Sequence, residues 1–140
     1  MNDYYFIASL PLIRPDRPPP LTLTDFLGRC RERLGDDAFA ELAALFEDRP
    51  SRNSFARAWR NADTQVRNAV ARARAGRRRI DPGAWLRPHE GLDLSIADAV
   101  DAAFRQADPR QRELALNALR QRLIDDLRGP DEFSIRKSVV

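Results

Sequence analysis

Five arginines, Arg72, Arg74, Arg77, Arg78 and Arg79, crowd a short tract of the 140-residue chain. Guanidiniums in that density can neutralise phosphates, and such binding would weaken steeply with salt. The same groups can dock on an acidic protein surface, where arginine is a favoured contact residue. A third reading is plain: a solvated helix end where positive charge is welcome. No aromatic platform stands beside the tract in sequence, which counts against stacking on bases. Other chemistry is sparse. His89, the only histidine, lies between Pro88 and Glu90 and has no neighbours suited to a metal site. It would have to serve every catalytic triad by itself. Cys30, the only cysteine, excludes an internal disulfide and a cysteine zinc cluster. The six glycines are scattered and build no phosphate-cradling loop. Asp36-Asp37 reads as a helix start, and Asp125-Asp126 as the solvent side of a leucine stripe. The expectation is a protein without catalytic residues, metal or cofactor.

Elements that would position these groups follow from periodicity. In "SFARAWRNADTQVRNAVARARAGRRR", residues 54–79, Phe55, Trp59, Ala62, Val66, Ala69 with Val70, and Ala73 recur in steps of four and three. That is one buried stripe on a helix starting at Ser51 or Ser54 and stopping at Gly76. Arg60, Arg67 and Arg74, seven apart, form a second stripe whose stems can lie on apolar surface. Upstream, "YYFIASLPLI" is either an extended segment with Tyr4, Phe6, Ala8 and Leu10 on one face, or a helical turn. Residues 15–20 are a Pro-rich connector, a stiff strap or a ligand for a Pro-recognising domain. Thr22 or Thr24 caps a helix lined by Phe26, Leu27, Cys30 and Leu34 and ended by Gly35. The next helix carries Phe39, Leu42, Ala43 and Phe46 as far as Pro50, making a helical hairpin. Residues 76–94 form a central loop pinned by Trp85 and Leu86. Ser95 with Asp98 caps a helix burying Ile96, Val100 and Phe104. Asp108 and Pro109 start another, striped by Leu116, Leu119, Leu123 and Leu127 and ended by Gly129-Pro130. The closing "DEFSIRKSVV" begins a further amphipathic segment.

The totals agree with helices. Charged residues reach 32% and hydrophobic ones 43%, a balance suited to amphipathic helices rather than to a sheet sandwich. Net charge is +3, from 24 basic and 21 acidic residues, too even for a typical nucleic-acid binder. No run approaches the roughly 20 apolar residues of a membrane span, and the start lacks the basic leader of a signal peptide. A lone thiol suits the cytoplasm. The expected fold is all-α: a single domain, 1–140, forming an antiparallel bundle of about five to six helices.

"YYFIASLPLI", the proline-bearing connector and "LTLTDFLGRCRERL" together resemble a bacterial domain family encoded beside V/A-type rotary ATPases. "FARAWRNADTQVRNAVARARA" is similar to an aromatic-then-Arg-Asn helix. That helix is shared by the family and by the rotor-stalk socket protein of those ATPases, which seats the soluble shaft on the membrane ring. "RQRLIDDLRGPDEFSIRKSVV" is similar to a later segment of the same pattern. The resemblance implies a helical protein at the cytoplasmic face of the plasma membrane, attached peripherally through the ATPase, either as a stalk component or as an assembly or regulatory factor. The socket protein repeats a helical unit three times, and this chain is much shorter. On the matched positions, Trp59 would pack the core and Asn68 would hydrogen-bond across helices. Arg67 and Arg74 would hold a partner or a neighbouring loop. With the tract and the arginine stripe, the expected partner-binding set is Arg60, Arg67, Asn68, Arg74, Arg77, Arg78 and Arg79. A protein partner is the first expectation and nucleic acid the alternative.

Overall fold

A computed structural model of the chain describes residues 4–128. Among the described residues there are six α-helices, a short 3-10 turn over Gly83–Trp85, and no strand: the fold is all-α. The chain divides into two compact units, one ending at Ala56 and the other starting at Arg57.

The first unit contains α1 (Tyr4–Ser9), α2 (Leu23–Arg33) and α3 (Asp36–Phe46). The apolar start is therefore helical, and the Pro-rich connector carries no regular structure. Thr22 caps α2 by accepting from the Asp25 N–H at 3.1 Å. Cys30 is buried on the apolar side of α2. Gly35 does not trail α2 but serves as the N-cap of α3, so the two helices share a two-residue turn, Leu34 and Gly35. Phe26 and Phe46 meet edge-on across the hairpin, 6.1 Å between ring centroids. α3 stops before Pro50. Asp48 adopts the left-handed conformation (φ 56°), and the Arg49 N–H returns to the Ala44 carbonyl at 2.9 Å.

The second unit is built on α4 (Ser54–Arg78), whose first turn belongs to the first unit, with α5 (Leu94–Phe104) and α6 (Pro109–Arg128). Asn53 Oδ1 accepts from the Ala56 N–H at 3.0 Å and caps α4. The apolar stripe lies where the periodicity places it. Val66, Val70 and Ala62 join Ile96, Val100, Ala103, Phe104, Leu116, Leu119 and Leu123 in one core, with Trp59 packed against it. Each fully buried aliphatic side chain there contributes about 1.5–3 kcal/mol. Two stripe ends fall outside: Phe55 and Leu127 are exposed, in the first turn of α4 and the last of α6.

α4 does not stop at Gly76. It continues to Arg78, because helical φ and ψ are open to glycine and the terminating bonds form later. The Arg79 N–H reaches the Gly76 carbonyl at 3.3 Å, and the Ile80 N–H reaches Ala75 at 3.0 Å, with Arg79 left-handed at φ 55°. These are the paired bonds of a Schellman closure, with arginine where glycine is usual. The central loop therefore spans 79–93. α5 is capped by Asp93 rather than Ser95: Asp93 Oδ1 accepts from the Ser95 N–H at 2.9 Å, since Leu94 is already helical. Asp108 and Pro109 start α6 as the spacing predicts, with Asp108 Oδ1 accepting from the Arg110 N–H at 3.0 Å. Gly129-Pro130 and the closing amphipathic segment lie outside the described residues.

The path of the 79–93 strap sets the directions of the helices. The strap runs backwards along α4, so α5 begins beside the middle of α4 and ends beside its C-terminus, where Arg77 bonds the Phe104 carbonyl. α4 and α5 thus point the same way. α6 opposes both, as its Arg122 contact to Ser95 (3.4 Å) and its Arg120 contact to Asp63 (3.6 Å) show.

Candidate functional site: an arginine-rimmed groove

Three side-chain amides on successive turns of α4 hold the strap. Asn68 is only 2% exposed. Its Oδ1 accepts from the Arg87 N–H at 2.9 Å, and its Nδ2 donates to the Arg87 carbonyl at 2.8 Å. Gln65 Oε1 accepts from the Asp93 N–H at 2.8 Å, and Asn61 Oδ1 from the Glu90 N–H at 3.2 Å. Backbone groups of an irregular segment thereby find partners they would otherwise lack. Within the strap, Asp81 Oδ1 accepts from the Gly83 N–H at 3.1 Å, and the Trp85 N–H closes the 3-10 turn on the Pro82 carbonyl at 2.9 Å.

Held this way, the strap carries Ile80 and Trp85 to one side of α4, where α6 forms the opposite wall of a groove of ≈ 540 Å³. Val70, Ala75 and Leu116 are its buried apolar floor. Arg67, Arg74 and Arg78 from α4 and Arg120 from α6 line it, with Glu113 the one carboxylate among the described lining residues. Trp85 is 56% exposed and Ile80 45%, so the apolar surface continues out of the floor. Arg74, Arg78 and Glu113 also border a smaller adjoining cavity of ≈ 240 Å³ with Arg77, Phe104 and Arg112.

The seven residues singled out from the sequence take different places. Asn68 is inside, engaged with the strap. Arg60 is half-buried. Arg67 pairs with Asp63 at 3.0 Å, and the same carboxylate holds Arg120 at 3.6 Å. The Arg77 guanidinium lies over the Phe104 ring, 5.2 Å from its centroid, and donates to the Phe104 carbonyl at the end of α5. Arg112 lies over the same ring at 5.0 Å. Arg79 occupies the left-handed turn. Arg74 and Arg78 both line the groove, both are exposed, and neither pairs with another described residue.

Sequence reasoning missed Trp85, Ile80, Asp63, Glu113 and Arg120 as members of this site. Arg120 was within reach, since it follows Leu116 by one turn on α6. Trp85, expected from the sequence to pin the central loop, is exposed at the groove instead, an aromatic neighbour that the sequence did not place beside the arginines. His89 is half-buried in the strap with its Nδ1 unpartnered, and no cluster of metal-ligating side chains occurs among the described residues. No described helix is long and apolar enough to cross a membrane. Burial pushes the Cys30 thiol upward, and the Ser95 hydroxyl bond holds the Asp93 carboxyl below its ordinary range.

No family model, curated protein or solved structure matches this chain.

Proposed function

We propose that the chain is a non-catalytic helical interaction protein of a V/A-type rotary ATPase, acting as a stalk component akin to the socket protein or as an assembly or regulatory factor. One observation carries the interaction reading: exposed Arg74 and Arg78, with no pairing partner among the described residues, stand over an apolar groove that ends in exposed Ile80 and Trp85. Free positive charge beside accessible apolar surface, with arginine and tryptophan together, is the composition of protein contact sites. The ATPase as partner is supported by the resemblance of residues 55–75 to the Arg-Asn helix of the socket protein and its relatives. On this reading the protein works in the cytoplasm at the membrane's inner face.

Affinity capture of the tagged full chain from its native cell, with mass spectrometry of what is retained, tests the proposal. Recovery of rotor-stalk or membrane-ring proteins of the ATPase is the expected result. Recovery of none of them refutes the ATPase assignment.

The presence of Trp85 in the groove favours a second reading, nucleic-acid binding, because arginines with one aromatic face can grip a strand. Titration with single-stranded and duplex oligonucleotides at low and high salt separates the two. Binding that falls steeply with salt supports the second reading, and absence of binding at low salt dismisses it.

A further inference from the structure

We infer that the groove between α4 and α6 receives an acidic amphipathic helix of a protein partner, whose carboxylates pair with Arg74 and Arg78 while an apolar side chain enters between Leu116, Ile80 and Trp85. The inference rests on the interaction-protein reading and names the chemistry of the partner.

Charge selects the sign. Of the four guanidiniums among the described lining residues, Arg67 and Arg120 already share Asp63, whose side chain is 18% exposed. Arg74 and Arg78 have no described partner and are free to reach outward. They sit one turn apart on one face of α4, about 6 Å along its axis. Carboxylates one turn apart on a second helix repeat that separation, because both obey the same 3.6-residue period. Length selects the form. Arg67 to Arg78 covers about 16 Å of α4, enough to lie along roughly three turns of a partner helix. The apolar floor then selects amphipathicity: Val70, Ala75 and Leu116 offer nothing polar from their side chains, and exposed Trp85 supplies an aromatic contact at the groove's mouth.

A nucleic-acid strand fits the same surface less well. Trp85 is the only aromatic group among its described lining residues, and the apolar floor offers nothing to a backbone charged at every nucleotide. A compact inorganic anion would leave the apolar floor unused.

The test uses the full chain and a fluorescein-labelled synthetic helix of about 18 residues, with glutamates one turn apart flanking leucines, read by anisotropy. A copy with lysine in place of every glutamate and a single-stranded oligonucleotide are run beside it. The glutamate helix is expected to bind and the lysine copy not. Arg74→Glu with Arg78→Glu should weaken the glutamate helix about tenfold or more. The same double variant should acquire binding to the lysine copy, a gain that misfolding cannot produce. Arg72→Glu, on an exposed residue outside the groove, should change affinity less than about twofold. Trp85→Ser should weaken the helix about fivefold or more. Failure of the glutamate helix to bind, indifference to the double reversal, or displacement by the oligonucleotide overturns the inference. Capture of ATPase proteins equally by the wild type and the double reversal also overturns it while leaving the ATPase assignment intact. Binding of the glutamate helix without any capture of ATPase proteins supports it and removes that assignment alone.

Discussion

Replacing Asn68 with alanine removes both ends of a bidentate bond to the strap backbone, the N–H contact at 2.9 Å and the carbonyl contact at 2.8 Å. Each such bond contributes about 1 kcal/mol net. The larger effect is what remains behind, because the Arg87 N–H and carbonyl lose their partners in a part-buried setting. Leaving a buried donor or acceptor unsatisfied costs about 1–3 kcal/mol, so a total near 2–3 kcal/mol is expected for Asn68→Ala. For a chain of this size that is a fall in Tm on the order of 10 °C. Urea unfolding followed by circular dichroism measures the loss, and hydrogen exchange at the Arg87 amide locates it. Asn68→Asp adds a sign. The introduced carboxylate can still accept from the Arg87 N–H, but it faces the Arg87 carbonyl without a proton to donate, and burial disfavours its charge. Its protonated form restores the donor, so its folded pKa lies above the unfolded value. The stability deficit of Asn68→Asp against wild type should therefore shrink as pH falls through that folded pKa. A change below about 0.5 kcal/mol in Asn68→Ala would refute the assignment of Asn68 as the clamp of the strap.

Three further outcomes follow from single features. Arg79→Gly should raise stability by about 0.5–1 kcal/mol over Arg79→Ala in urea melts, because the left-handed closure of α4 suits a residue without Cβ. Asp93→Asn should flatten the acid side of the stability profile. The Asp93 carboxyl is lowered by its bond from Ser95, so its contribution is present above the unfolded value near 4 and is lost as pH falls through the lower folded value. Asp93 is exposed, so solvent keeps that contribution small, within the few tenths to about 1 kcal/mol typical of a cap. Cys30 should react slowly with a thiol reagent at pH 8 in native buffer and rapidly in urea, since burial both covers the sulfur and raises its pKa. Equal rates in the two solvents would show α2 opening freely around it.

Local signals in the sequence were enough for α2 to α6 and for the core faces of α4, α5 and α6. They left α1 open between an extended segment and a helical turn, and missed that α3 buries Ala44 and exposes Phe46. The four-and-three spacing of Trp59, Ala62, Val66, Ala69 and Ala73 has one physical reading, and these residues lie on the core side of α4. Thr22 and the Asp108-Pro109 pair act on N–H groups two or three residues away, so their roles are visible within a few positions. The strap was not legible, because its path depends on amides from Asn61, Gln65 and Asn68 meeting backbone groups 19 to 29 residues later. In a one-dimensional reading those side chains are ordinary polar positions on a helix. Asn68 gave one hint: it sits beside the stripe, between Val66 and Ala69, where a polar side chain must find a partner or stay wet. Seven arginine and asparagine candidates could not be separated for the same reason. Whether a guanidinium is committed depends on a carboxylate, ring or carbonyl supplied by another turn or another helix.

That separation has an energetic consequence. Arg77 is committed to the end of α5 and Arg67 to Asp63, so each of them returns a contact to the fold. Arg74 returns none among the described residues, and it stands one turn from Arg78 on the same face. Like charges at that spacing are mutually destabilising by about 0.2–0.5 kcal/mol. Arg78 offsets this by lying in the last turn, where the helix dipole favours a cation, but Arg74 lies a turn further in. Arg74→Gln should therefore raise stability by a few tenths of a kcal/mol at low ionic strength, with the gain vanishing as salt screens the pair. Loss of more than about 0.5 kcal/mol in Arg74→Gln would mean that Arg74 supports the fold, and the groove's free charge would then rest on Arg78 alone.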